Sequence, residues 1–137
     1  GANESESDAL YDLGISMGLS FQLMDDYLDS FGEKAKVGKK IGGDILNKKK
    51  TFLWNEMWAN LNKQEKKSLD HIFESGTDSE IIHHVKDKMK STGADKKTLQ
   101  LAQNHAARNG HILSQMSSEG NKDCLLEIMT LLSKREN

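Results

Sequence analysis

Apolar residues at Leu10, Leu13, Met17, Phe21, Met24 and Leu28 recur in steps of three and four along the start of the chain. That spacing keeps them on one stripe of an α-helix and predicts a helix from about Ser5 to Ser30. Ser5, with Asp8 three residues later, resembles a capping start. After Lys50 the same period returns in shorter pieces. Phe52, Leu53, Met57, Trp58 and Leu61 predict one short amphipathic helix, with Trp54 and Trp58 four apart. Leu69, Ile72 and Phe73 predict a second that stops near Gly76. Asp78 is expected to cap a third carrying Ile81, Ile82, Val85 and Met89, with Gly93 after it. Asp95 is expected to cap a longer one through Leu99, Ala102, Ala106, Leu113 and Met116, and Asn121 a last one with Leu125, Ile128, Met129 and Leu132. No pair of strands stands out, and proline, which helix interiors tolerate poorly, is absent. The expectation is an all-α fold, a helical bundle of about six helices, with residues 1–137 as a single domain.

The pattern breaks between Phe31 and Lys50. Gly32, Gly38, Gly42 and Gly43 fall there, with lysines at 34, 36, 39, 40, 48, 49 and 50 and Asp44 as the only acid between Lys34 and Lys50. Such a stretch predicts a loop whose amides and ammonium groups can approach a phosphate. Just before it stand Asp25, Asp26 and Asp29. Asp25 and Asp29 are one turn apart on one face, Asp26 lies beside them, and Gln22 joins the strip one turn earlier. Three like charges within two turns repel, and the negative end of the helix dipole adds to the cost. A cation would remove that cost. An acidic helix end beside a basic loop can hold a hard divalent ion together with the polyanion that carries it, and a solvated acidic helix end is the plain alternative. The stretch is neither a P-loop, since the Gly32–Lys40 spacing is too long and no Ser or Thr follows the lysine, nor an EF-hand, since the alternating ligands and the closing glutamate are missing.

Gly14 and Gly18 sit four apart inside the first helix, at a propensity cost of up to ~1 kcal/mol each. A close approach is expected there, by a neighbouring helix or by the apolar tail of a ligand. Other polar candidates are weak. Glu80 and His83 form a single Glu-x-x-His pair where di-iron bundles need two. His105 and His111 share no helical face, and Cys124 reads as a buried thiol.

Composition narrows the class. The chain has 137 residues, 29% of them charged and 36% hydrophobic, with a net charge of −2. The charge argues against nucleic acid as a partner. No apolar run approaches the ~20 residues of a membrane span. A single cysteine excludes an internal disulfide and favours a cytoplasmic home.

The residues Gly18, Phe21-Gln22, Asp25-Asp26 with Asp29, Gly38-Lys39, Gly43-Asp44 and Lys49-Lys50-Thr51, in that order over about thirty positions, resemble the second aspartate-rich region of the trans-type polyprenyl diphosphate synthases. More loosely, Thr98 to Ser117 and Leu125 to Arg135 resemble the last two helices and basic end of that family. The resemblance implies the C-terminal part of the isoprenoid synthase fold, since the earlier aspartate motif of the family is not in this chain. It implies Mg²⁺ as cofactor, an allylic diphosphate and isopentenyl diphosphate as substrates, and catalysis by assisting ionisation of the allylic diphosphate. By position, Asp25, Asp26 and Asp29 would be the catalytic, metal-holding carboxylates, Asp25 as direct ligand and Asp44 as a partner through water. Lys39 and Lys49 would hold the allylic diphosphate, although the extra lysine leaves Lys39 and Lys40 as alternatives. Phe21 and Gln22 would lie beside the reacting end of the isoprenoid, and Arg135 would help with the second diphosphate. The chain alone is expected to be an inactive half-site, prone to self-association as a homodimer or otherwise. The alternative is a non-catalytic helical module that binds diphosphate or a partner.

Overall fold

A computed structural model describes residues 4–32 and 41–115, together with the isolated positions 123, 126 and 127. Among the described residues there are six helices and no strand: α1 (Glu4–Phe31), α2 (Gly43–Leu46), α3 (Phe52–Asn60), α4 (Lys63–Ser75), α5 (Asp78–Ser91) and α6 (Ala94–Gln115). The all-α expectation holds. Among the described residues no helix is long and apolar enough to cross a membrane. The helix expected after Asn121, along with Met116, Cys124 and Arg135, lies outside the described residues, apart from those isolated positions.

The chain divides into two compact units, Gly1–Met24 with Gln100–Asn137, and Asp25–Leu99. In the first, Leu13 of α1 is buried with Ile112 and Leu113 of α6, and Ala9, Leu10 and Met17 pack against them. Serines complete this face where the apolar pattern skips. Ser16, 2% exposed, donates to the His105 carbonyl at 3.1 Å, and Ser20 donates to the Ala102 carbonyl at 3.1 Å. Each hydroxyl satisfies itself on the backbone of the neighbouring helix, so a small polar residue is accommodated on the packed face of α1. Of the two approaches expected at Gly14 and Gly18, that of a neighbouring helix is not made among the described residues. A Cβ at either would meet nothing within 4 Å, and both are exposed. They fall with Tyr11, Ile15 and Leu19 on the side of α1 turned away from its contacts with α6.

In the second unit α2, α3 and α4 each pack on α5. Ile81, Val85 and Met89, one turn apart along α5, are buried with Leu53, Trp54, Met57, Leu61, Leu69, Ile45 and Ala94. The Trp54 ring stacks on Trp58 and meets Phe73 edge-on, at centroid distances of 6.3 and 6.1 Å.

Local rules set the helix ends. Asn62 and Glu65 form a capping box that starts α4, and Thr77 and Glu80 form another that starts α5. Three expected caps shift accordingly. Ser5 already lies within α1, Asp78 is the first residue of α5 behind its cap Thr77, and Asp95 lies in the first turn of α6. Aspartate within a first turn favours the helix through its dipole as well as a cap would, which is why the two positions read alike in sequence. The box also accounts for Glu80. Its carboxylate accepts from the Thr77 amide at 2.8 Å, while His83 faces Asp87 at 3.3 Å.

Candidate functional site

The glycine- and lysine-rich stretch expected as a loop contains a folded strap. Gly42 turns the chain with a left-handed φ of 83°, and its amide donates to the Asp29 carbonyl at 2.8 Å. A Cβ on Gly42 would stand 2.8 Å from the Ile82 side chain, so glycine is required there both by its backbone and by its neighbour. The single turn α2 follows and buries Ile45 in the core. Lys48 then takes a positive φ of 48°, and the Lys49 amide donates back to the Asp44 carbonyl at 2.9 Å. Thr51 ends the strap as the N-cap of α3, its hydroxyl accepting from the Trp54 amide at 3.0 Å.

This path places Lys49 over the aspartates. Its ammonium donates to Asp26 Oδ1 at 3.1 Å and to Asp44 Oδ2 at 2.8 Å. Asp29 Oδ2 accepts from the Asp44 amide at 2.9 Å. Asp26 is buried, its side chain 6% exposed, against 24% for Asp44 and 48% for Lys49. Asp25 is partly exposed. The hydrogen bond to Asp44, with that to Asp26, pushes the Lys49 ammonium above the ordinary lysine range although partial burial opposes it. The lysine therefore stays charged near neutral pH. The repulsion read from the aspartate spacing is thus met in part by a cation from the chain itself.

Asp26, Asp29, Asp44 and Lys49 are linked by hydrogen bonds in the second unit, to which Asp25 also belongs. Phe21 and Gln22 belong to the first, on α1, and both are exposed. Lys39, Lys40 and Arg135 lie outside the described residues. The roles of Gly42, Ile82 and Lys48 escaped the sequence reading. The Gly42-Gly43 pair was the available signal, but it does not say which glycine needs the left-handed turn.

Among the described residues no three His, Cys, Asp or Glu side chains converge as a metal cage. Mg²⁺ does not require one, because one or two carboxylates with water and substrate oxygens complete its shell. All four carboxylates are hard oxygen donors, and Asp25 and Asp44 retain access to solvent, so the donor set fits such an ion.

A family model described as polyprenyl synthetase matches residues 1–90. A short chain isoprenyl diphosphate synthase of Methanothermobacter thermautotrophicus is 26% identical over all of this chain and 42% of its own. Its namesake in Methanocaldococcus jannaschii is 40% identical over 51% of this chain and 21% of its own. A crystal structure of a geranylgeranyl pyrophosphate synthase superposes with a TM-score of 0.77 at 33% identity, over 96% of this chain and 42% of that one. The chain therefore spans less than half the length of these relatives.

Proposed function

This chain belongs to the polyprenyl synthetase family, and on that premise we propose that it forms the diphosphate-binding part of a prenyltransferase that condenses an allylic diphosphate with isopentenyl diphosphate. One observation carries the reading: the strap brings a charged lysine within 3.1 Å of Asp26, at the acidic end of α1, and of Asp44 on α2. That is a mixed-charge surface of the kind a metal–diphosphate complex requires.

In this reading Asp25 would be the direct ligand of Mg²⁺, Asp26 and Asp29 would complete the acidic surroundings of the ion, and Asp44 would act through water. The chemistry such an ion supplies is neutralisation of the diphosphate charge that develops as the carbon–oxygen bond breaks. The chain's own residues bind and orient. Lys49 has three donors, two of them engaged by Asp26 and Asp44, and the third reaches the allylic diphosphate with Lys39. Phe21 and Gln22 flank the isoprenoid, and Arg135 assists the second diphosphate. These assignments give binding rather than turnover to the chain on its own.

Calorimetric titration of the purified chain with Mg²⁺ and a non-hydrolysable allylic diphosphate analogue tests the reading. Binding that requires the metal and disappears in an Asp25→Ala, Lys49→Ala double variant is the expected result. A folded, helical chain that binds neither component refutes it and leaves the site a structural remnant.

A further inference from the structure

We propose that Asp26 is a positioning residue, holding Asp44 in place through the ammonium of Lys49, and is not itself a metal ligand. This inference rests on the reading of the site given above and divides the labour among its carboxylates.

Three observations carry it. Asp26 is the most enclosed of the group, with a side chain 6% exposed, whereas Mg²⁺ dehydrates reluctantly and needs a carboxylate that water can also reach. The Oδ1 of Asp26 receives the Lys49 ammonium at 3.1 Å, and the same ammonium receives Asp44 at 2.8 Å on its other side. Asp44 is in turn fixed by its amide, which donates to Asp29 Oδ2 at 2.9 Å. The Asp44 carboxylate is therefore held from both ends, by Asp29 through the backbone and by Asp26 through Lys49. Of the two carboxylates on that ammonium, Asp44 is the better exposed, at 24% against 6%. An incoming cation would therefore meet Asp44 before Asp26. None of these contacts engages Asp25, which is left to meet the ion directly.

Mn²⁺ with inorganic diphosphate is the probe, read by the paramagnetic resonance signal of free Mn²⁺. Asp26→Asn keeps the shape and removes the charge, and it should weaken binding by about tenfold, as loss of a residue that orients a ligand does. In a Lys49→Met background the same substitution should cost clearly less, because the link from Asp26 to Asp44 has gone. Lys49→Arg, which keeps the charge, should restore most of the affinity. A further loss from Asp26→Asn in the Lys49→Met background, of the size seen in the wild type, would show that Asp26 does not act through Lys49 and would overturn the proposal.

A second arm needs no ligand. Amide exchange at Asp44 should quicken in Asp26→Asn and in Lys49→Met while the amides around Val85 keep their rates. Lys49 is half-exposed, so its variant tests the strap even where the buried one folds poorly. Unchanged exchange at Asp44 in the folded variants sinks the proposal. Absence of Mn²⁺–diphosphate binding in the wild type would instead strike the functional reading, and the exchange rates would still decide whether Asp26 holds the strap.

Discussion

Gly42 shows how much one residue of this strap is asked to do. Its φ of 83° costs an L-residue roughly 1–2 kcal/mol, and a Cβ would also press on Ile82 at 2.8 Å. Gly42→Ala should therefore lower stability to chemical denaturation by at least about 1 kcal/mol. Shortening the neighbour as well, with Ile82→Ala, should not recover the loss, because the backbone strain remains. A Gly42→Ala variant as stable as the wild type would remove the argument for a preformed strap. Gly14 and Gly18 make the opposite case: both have negative φ and open surroundings, so the same substitution meets neither obstacle. A glycine in a sequence signals freedom, and only the surroundings say whether that freedom is used. The aspartates were legible at this scale from spacing and charge alone. That Asp26 is the enclosed one was not, because i, i+1 and i+4 positions look equivalent until the strap covers one of them.

At the scale of the element, the two capping boxes carry a pH dependence. The Thr77 amide and hydroxyl hold the Glu80 carboxyl below its ordinary value, and the Asn62 backbone with Lys88 does the same for Glu65. A depressed carboxyl contributes stability that is fully present above the unfolded value and is lost as pH falls through the folded one. The stability gap between the wild type and Glu80→Ala should therefore be widest near neutrality and shrink as the solution is acidified below the ordinary glutamate range. Circular dichroism melts across that range check it, and a gap that stays constant would refute the assignment. Helix existence was well marked in the sequence for α1, α3, α4, α5 and α6. Their starts were less so, because caps and first-turn acids both favour a helix N-terminus and the two roles are exchanged by a shift of one residue. The turn α2 left no periodic trace, since four residues cannot show a period of 3.6.

Each of the two units buries a core, and among the described residues these cores differ in size. Leu13, Ile112 and Leu113 make up the small one, while the second unit gathers ten buried residues around α3 and α5. Opening free energy follows the apolar surface that an element keeps from water. The slowest-exchanging amides should therefore lie around Met57 and Val85, with those around Leu13 and Ile112 exchanging sooner. The reverse order, in a native-state hydrogen exchange measurement, would contradict this account of where the molecule is held together. The second unit, with these ten buried residues, also carries the strap that bears Asp44 and Lys49.

The sequence by itself determined the helical class, the order of the helices and the juxtaposition of an acidic helix end with basic residues. Each of these follows from periodicity or from neighbours along the chain. Family membership was legible there too, in the ordered motif from Phe21 to Thr51. Tertiary structure alone decided which side chains are covered and by what. It put serines rather than Phe21 on the buried face of α1, made Gly42 obligatory by bringing Ile82 against it, and laid Lys49 between Asp26 and Asp44, twenty-three and five residues away. The reason is physical. Spacing fixes the direction of a side chain about its own helix, but burial and ion pairing depend on what the rest of the chain folds back to meet it.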